Sequence, residues 1–492
     1  MRFQIILDGM GLILILFALS FLGPIWTGVV YHEDPYRLFL AYGIPIILCL
    51  GTGFSIRVLM HERFEQIRVS EALVMVALTW LVLAGIGALP YIALGAVSDA
   101  ASAYFESMSG FTTTGATVIS GLDDLDKSLL LWRSLTAWLG GMGVIVLSVA
   151  ILSRFFGANI NTVIIQAEVP GGRVTRMAPR MAQTARLLWG IYVLFTVILI
   201  GLLMAVGNWG EHEMSLFDAV NHAMAAMPTD GFTTHDKSVG YFDNPAVEFV
   251  ITVFLIIAGT NFVLHYNALR GRWREYLKDP EMRFTILMVV LAIVFVTGDL
   301  AVRGIYSVDQ SFRFGSFAVV SVVTTTGFAT ADFALWPVSS QLVLLMLMFF
   351  GGTMGSTAGG IKMVRVLIIL KSIRVLFNKV THRRGVFHVK LGNVIIPDAQ
   401  VASTAVYVLL YMGLIGLGSL LISLDGTDMV TSISSTVTAI GNVGPALGMY
   451  GPATTYAAMS GVSKIIMAAL MWIGRLEILG CLLLFNPKAL AE

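Results

Sequence analysis

The sequence predicts an all-α polytopic membrane protein: four helix–loop–helix repeats around one axis, with two further helices at the N-terminus. Three observations lead there. Of the 492 residues, 57% are hydrophobic and 12% charged, against about 25% charged in soluble proteins. Mean hydropathy is +0.83, and apolar runs of roughly 20 residues, the length that crosses a bilayer as a helix, recur along the chain. A Gly/Thr stretch too short and too polar to span interrupts each repeat. The connections alternate between basic and acidic.

The N-terminal pair occupies residues 1–68, with helices expected at about 8–31 and 38–57 joined by an outer connection carrying Glu33 and Asp34. The first repeat, 69–181, has spans at about 72–98 and 128–153 with a short segment near 101–112 between them. The second, 182–281, has spans at about 187–207 and 246–269 around a segment at 215–228, whose Ser215 and Asp218 stand in the S-x-x-D spacing of a helix start. The third, 282–397, reads as 284–300, 309–323 and a long segment from 339 to 376. The fourth, 398–492, reads as 401–423, 428–441 and 455–485. Basic connections carry Arg57, Arg63 and Arg68; Arg154 and Arg173 to Arg186; Arg270 to Arg283; and Lys379 to Lys390. Between them lie Asp99, Asp123, Asp124, Asp126, Glu211, Glu213, Asp243, Asp425 and Asp428. The positive-inside rule puts the N-terminus and every basic connection in the cytoplasm. The Gly/Thr stretches then face outward, behind an acidic rim that either concentrates cations or is merely solvated.

Those stretches are Ser109–Thr117, Met227–Thr234, Val323–Thr330 and Ile440–Pro445. Their central glycines, 115, 231, 327 and 444, lie 116, 96 and 117 residues apart, a repeat that sets the architecture. Irregular backbone at membrane depth survives only where it is buried in protein or lines water. Four such segments meeting on one axis bring carbonyl oxygens together to replace the hydration shell of a potassium ion. Glycine supplies backbone angles closed to other residues. Thr hydroxyls add oxygens suited to a hard cation. The short segments before each stretch become half-helices whose C-terminal ends point partial negative charge at the ion. The fold class is therefore four pseudo-fourfold helix–pore-loop–helix repeats around one pore. The plain alternative, an ordinary turn between helices, has to hold four times over.

Two further features belong beneath such a filter. Gly351, Gly352, Gly355, Gly359 and Gly360 fall within ten residues and are followed by Lys362, so no straight helix is expected there. An intramembrane loop that blocks the pore and moves aside fits this run; a close helix-packing site is the alternative. Arg475 lies deep in the last span, where a charge is costly and marks function by default. Projecting into the pore it repels cations; otherwise it pairs with Glu477 or Glu106.

These segments, with Gly140-Gly141-Met142-Gly143-Val144, Thr233-Thr234-His235-Asp236, Gly259-Thr260-Asn261-Phe262, Gly351–Lys362 and Gly474-Arg475-Leu476-Glu477, resemble the membrane subunits of the Trk/Ktr/HKT potassium transporters, closest to the TrkH type, over essentially the whole chain. The resemblance implies potassium sites at Thr113, Thr114 and Gly115; Thr229, Asp230 and Gly231; Thr325, Thr326 and Gly327; and Asn442, Val443 and Gly444. It implies a homodimer and a cytosolic nucleotide-binding regulator of the TrkA type, with Arg173–Arg186 and Lys371–Arg384 as candidate docking segments. In the family's plant relatives Ser at the first glycine goes with sodium, so Gly115 favours potassium. The second loop departs from the usual Thr-Gly-Gly. Asp230 there either binds the cation and slows release or caps a neighbouring backbone amide, the role Asp often takes in turns; the capping role is expected.

The functional expectation is potassium uptake across a bacterial inner membrane by a multi-pass protein with a cytoplasmic N-terminus. The alternative is a Na+- or H+-coupled potassium symporter, although no paired membrane carboxylates suggest a second ion site. No nucleophile–base or phosphate-cradling motif points to an enzyme. Potassium is the permeant ion, and no covalently bound cofactor is expected. Cys49 and Cys481 sit in apolar spans and make neither a disulfide framework nor a metal site. His222, His235 and His265 lack metal spacing and read as packing or surface groups. A net charge of +1 leaves no nucleic-acid footprint. The apolar run after Met1-Arg2 has no small-residue cleavage site and reads as a first spanning helix rather than a signal peptide.

Overall fold

The computed structural model describes residues 2–60, 69–155, 177–210, 212–382, 385–392, 394–482 and 484. Arg63, Arg68, Arg173, Arg176, Glu211, Arg383 and Arg384, which the charge pattern uses, lie outside them. Six helices are long and apolar enough to cross a bilayer among the described residues: Phe3–Val30, Pro35–Leu59, Glu71–Ala93, Thr184–Trp209, Pro280–Val302 and Asp398–Ser423. The first two are the N-terminal pair, and each of the others opens one repeat. Every repeat then dips back through a short helix: Ala100–Phe111, Leu216–Ala226, Val308–Val323 and Met429–Gly441. Each short helix starts on a side-chain cap. Asp99 accepts the Ser102 N–H, Ser215 and Asp218 close a reciprocal capping box, Ser307 accepts the Gln310 N–H, and Asp428 accepts those of Val430 and Thr431.

The closing helices differ from the sequence reading. In the first repeat Lys127–Phe155 runs unbroken. In the second the expected span 246–269 is two helices, Pro245–Ala258 and Phe262–Leu269, bent by 102°. In the third, Val338–Met348 and Met363–Thr381 flank a non-helical loop. In the fourth the expected span 455–485 starts at Gly461 and ends at Arg475, and Glu477 and Ile478 take positive φ before a last turn at Leu479–Leu482. Three of the four closing helices are therefore broken at membrane depth, and the freed backbone groups have to find partners inside the protein. A small antiparallel hairpin, Val389–Leu391 against Val394–Ile396, follows the third repeat.

Packing between repeats is tight where glycine allows it. A β-carbon on Gly140 would overlap the Phe111 carbonyl, one on Gly141 would meet Pro228, and one on Gly474 would overlap the Ile440 carbonyl. The closing helices thus lie directly against the ends of the short helices. Behind the first loop sits a buried ion pair. Arg133 Nε lies 3.0 Å from Glu106 Oε1, with the two side chains 1% and 0% exposed. Glu106 also accepts the Val118 N–H and the Thr117 hydroxyl. Arg133 Nη1 donates to the Thr233 carbonyl at 3.0 Å and its guanidinium stacks on Phe232. The pair ties the exit strand of the first loop to that of the second.

A second tie joins the connections that follow the first two loops. Asp236 accepts the N–H groups of Gly121 and Leu122. His235 Nδ1 contacts Asp123, and its Nε2 lies 3.5 Å from Asp218 Oδ1.

Breaking one half of the inner pair strands a buried charge, which costs about 3 kcal/mol or more. Arg133→Met is expected to lower thermal stability in detergent by that order, and the double variant Glu106→Gln/Arg133→Met to recover much of it. A single variant no worse than the double would rule the coupling out. At the second tie, burial alone would lower the His235 pKa, but Asp218 and Asp123 outweigh it and hold the imidazole above its ordinary value. A group raised in this way stabilises the fold below its unfolded pKa and loses that contribution as pH rises through the folded one. Melting temperature is therefore expected to fall between about pH 6 and pH 8, and the slope to flatten in His235→Gln; thermal scans across that range check it.

Candidate functional site

Each short helix ends in the same way. Thr113 N–H donates to Gly110 O at 2.8 Å and Thr114 N–H to Ser109 O at 2.8 Å. The pattern recurs from Thr229 and Asp230 to Ala226 and Ala225, from Thr325 and Thr326 to Val322 and Ser321, and from Asn442 and Val443 to Ala439 and Thr438. These are Schellman-type caps, in which the residue after the helix turns left-handed. Glycine usually takes that place. Here it is Thr113 at φ 47°, Thr229 at 59°, Thr325 at 55° and Asn442 at 54°. A left-handed β-branched residue costs about 1–2 kcal/mol, and such strain concentrates at functional positions. Two residues on in every loop, Gly115, Gly231, Gly327 and Gly444 are left-handed again, at φ 73°, 96°, 84° and 103°, while the residue between is not.

The caps use the amides of the two residues before each glycine and leave their carbonyls free of the helix. Those carbonyls close a ring. A β-carbon on Gly115 would overlap the Asp230 carbonyl oxygen; one on Gly231, that of Thr326; one on Gly327, that of Val443; and one on Gly444, that of Thr114. Each loop's glycine is thus seated against the residue before the next loop's glycine, and the fourth returns to the first. Eight of the twelve residues named for the filter, the four glycines and the residue before each, meet in this ring, and the ring demands glycine at four places.

Side chains around the ring are buried and polar. Thr112 Oγ1 and Thr114 Oγ1 are 2.8 Å apart, and Thr324 and Thr326 repeat the pair at 2.8 Å. Asn442 Nδ2 donates to Thr114 Oγ1 and to Met471 O, each at 3.0 Å. Asp230 Oδ2 accepts the Phe232 N–H at 3.0 Å across an Asx turn. Among the described residues Thr113 Oγ1, Asp230 Oδ1 and Asn442 Oδ1 have no hydrogen-bond partner. Outside the ring, a vestibule of about 330 Å³ is lined by Gly115, Thr117, Arg133, Asp236 and Tyr456, among others.

Directly beneath lies the glycine-rich loop, buried throughout residues 351–361. Gly359 N–H donates to Thr325 Oγ1 at 2.7 Å, and the Thr357 hydroxyl reaches the carbonyls of Met227 and Ala258, each at 3.0 Å. A β-carbon on Gly359 would overlap Gly441 O. The loop therefore touches the second, third and fourth repeats. Thr353 N–H takes the Gly259 carbonyl at 2.9 Å, a group freed by the bend in the second repeat. Glu281, at the start of its span, accepts the N–H groups of Met354 and Val364 through one oxygen, each at 2.8 Å. The sequence reading missed Glu281; its only signal was a carboxylate opening an apolar span.

Arg475 is 3% exposed, and among the described residues none of its three guanidinium nitrogens has a hydrogen-bond partner. The acids that might have claimed it are taken: Glu477 pairs with Arg365 and Glu106 with Arg133. Glu477 does not share its helix, which ends at Arg475. Lys362, 5% exposed, donates to the Ala358 carbonyl within the loop. Among the described residues no cluster of His, Cys, Asp and Glu has the makings of a transition-metal site.

The TrkH family profile, described as a cation transport protein, matches residues 41–490. The chain is 36% identical over 497 residues to the Trk system potassium uptake protein TrkH of Halomonas elongata, covering 99% of each. It is 36% identical over 495 residues to the protein of that name from Escherichia coli K12, again covering 99% of each. The crystal structure of the potassium transporter TrkH from Vibrio parahaemolyticus aligns with a TM-score of 0.90 at 32% identity, over 99% of this chain and 100% of that one. Carrying the family's profile and its fold from end to end, this multi-pass membrane protein belongs to the TrkH family of cation transport proteins.

Proposed function

We propose that the chain takes up potassium across a bacterial inner membrane, through a selectivity filter formed by the carbonyls of Thr113, Thr114 and Gly115 and their counterparts in the other loops. The observation that carries this reading is the closed ring of glycines and carbonyls. Oxygen dipoles held in place by four helix caps replace ion hydration without reorganising. The C-terminal ends of the four short helices add partial negative charge. The names of the relatives, which are potassium uptake proteins, support potassium as the ion. Entry runs down the electrochemical gradient, an inside-negative potential being worth about 2.3 kcal/mol per charge per 100 mV.

Below the filter, the loop at Gly351, Gly352, Gly355, Gly359 and Gly360 is the gate, and Lys362 and Arg475 raise the barrier to cations there. Asp230 is a backbone cap rather than an ion ligand, because one of its oxygens is committed to Phe232. The protein works as a homodimer, N-terminus inside. A TrkA-type nucleotide-binding regulator engages its basic cytoplasmic face.

The reading is tested by potassium uptake into proteoliposomes under an imposed negative potential. Wild type is expected to accumulate potassium over sodium, and Gly327→Ala, whose new methyl group meets the Val443 carbonyl, to lose most of that uptake. Asp230→Asn keeps the acceptor for Phe232 and is expected to preserve the selectivity; a shift toward sodium would return the carboxylate to the ion path. In the same assay Arg475→Gln is expected to raise flux by about tenfold, the effect of lowering a barrier by about 1.4 kcal/mol. Unchanged or reduced flux would remove Arg475 from the pore.

A further inference from the structure

A cleft of about 500 Å³ opens sideways from the protein between Pro245–Ala258, Pro280–Val302 and the third short helix, Val308–Val323. Its walls are almost wholly apolar, and Phe249, Val290 and Phe312, which line it, are 69%, 50% and 59% exposed. Two ends of the cleft are chemically distinct. At the outer end Arg313 is bound by Glu248, with contacts of 2.8 and 2.6 Å, and by Asp243 at 2.7 Å. Among the described residues Arg313 Nη1 has no hydrogen-bond partner. One cation against two carboxylates leaves the trio with a net negative charge, next to a guanidinium edge that still has donors. At the inner end the lining is Gly259, Thr260, Met282, Thr324 and Gly352. There Gly352 packs on the Gly259 carbonyl and Thr353 N–H is bonded to it.

The length of the cleft also means something. Arg313 and Thr324 stand eleven residues apart on one helix, about 16 Å of rise. That is one leaflet of a hydrocarbon core about 30 Å thick. With the glycine pair set near the midplane, that rise carries the polar trio to headgroup depth.

We propose that the cleft is a binding site for one phospholipid with a primary-amine headgroup, of the phosphatidylethanolamine type. Its phosphate meets the free edge of Arg313 and its ammonium meets Asp243 and Glu248. One acyl chain fills the apolar walls and ends against the Gly259–Gly352 contact that anchors the glycine-rich loop. A choline headgroup keeps the phosphate but offers no N–H to the carboxylates, and a glycerol headgroup brings a net negative charge to a negative site. The site rests on the membrane-spanning fold and not on ion conduction, so its test does not depend on the filter reading.

Full-length protein in detergent is titrated with phosphatidylethanolamine, phosphatidylcholine or phosphatidylglycerol of matched acyl chains and read by native mass spectrometry. One phosphatidylethanolamine per chain is expected to bind about fivefold more tightly than phosphatidylglycerol, the factor that one charge near a membrane surface gives. Val290→Trp, which fills the cleft from the exposed wall, is expected to abolish that binding. Asp243→Asn, which neutralises the trio, is expected to bring the preference close to one. Hydrogen exchange of the peptide covering 349–361 is expected to slow on phosphatidylethanolamine addition in wild type and not in Val290→Trp. Equal affinity for the three lipids, a preference that survives Asp243→Asn, or binding unaffected by Val290→Trp would overturn the site. A dimer that dissociates in Val290→Trp while lipid binding stays intact would assign the cleft to a second copy of the chain. Unchanged exchange in 349–361 would overturn the contact with the loop.

Discussion

The structure depends on one constraint: four segments of a single polypeptide must lay their backbones on one axis, close enough for a carbonyl of each to touch the glycine of the one before. No side chain fits at those four contacts, so glycine is required by space as well as by its φ. The left-handed Thr or Asn two residues earlier is the complementary device. It lets the helix end with its last carbonyls capped while the chain turns onto the axis. Strain at three threonines is offset by what surrounds them. Each is buried, capped through its amide, and held between a packed helix and the neighbouring loop. Relaxing any one of them would open the ring at two contacts, which is why the four loops keep one backbone despite different side chains.

The glycine-rich loop obeys the same accounting of backbone groups. A bend of 102° in the second repeat frees carbonyls at Ala258 and Gly259, and these are taken by Thr357 and Thr353 of the loop. A break in one repeat is thus satisfied by a break in the next, with Glu281 covering two more amides. Unsatisfied groups at this depth are expensive. Any movement of the loop has to exchange these bonds for water or for other partners, so the cost of such a movement is spread over the second, third and fourth repeats rather than held in the loop alone.

Much of this was legible in the sequence for a physical reason. Glycine at a forced backbone, and Ser or Asp at a helix start, are local requirements, and local requirements leave a residue type behind. Gly115, Gly231, Gly327 and Gly444, and the Ser215–Asp218 box, were readable on that account. The bend at Gly259–Asn261 was not. Its sequence differs little from a helix with one tolerated glycine, and it is the loop hydrogen bonds, a hundred residues away, that make the break affordable. The Glu106–Arg133 pair was invisible for the same reason: an acid on a short helix and a base on the following span name no partner until the fold brings them together. The left-handed Thr113, Thr229 and Thr325 were unexpected outright, because residue preference argues against them.

The charges beneath the ring of carbonyls follow from the pairs around it. Arg365 and Glu477 neutralise each other at the end of the fourth repeat, and Arg133 and Glu106 do so behind the first. With those acids committed, Lys362 is left to a loop carbonyl and Arg475 to no hydrogen-bond acceptor among the described residues. A buried guanidinium without an acceptor is among the most costly arrangements a protein can keep, unless the space it faces is wet. Bulk lipid or a dry core cannot hold it there. A water-filled passage, as proposed for the pore, can. The ion pairing of the periphery and the electrostatic barrier proposed for the pore are in this sense one arrangement: each acid that braces the scaffold is an acid withheld from the path.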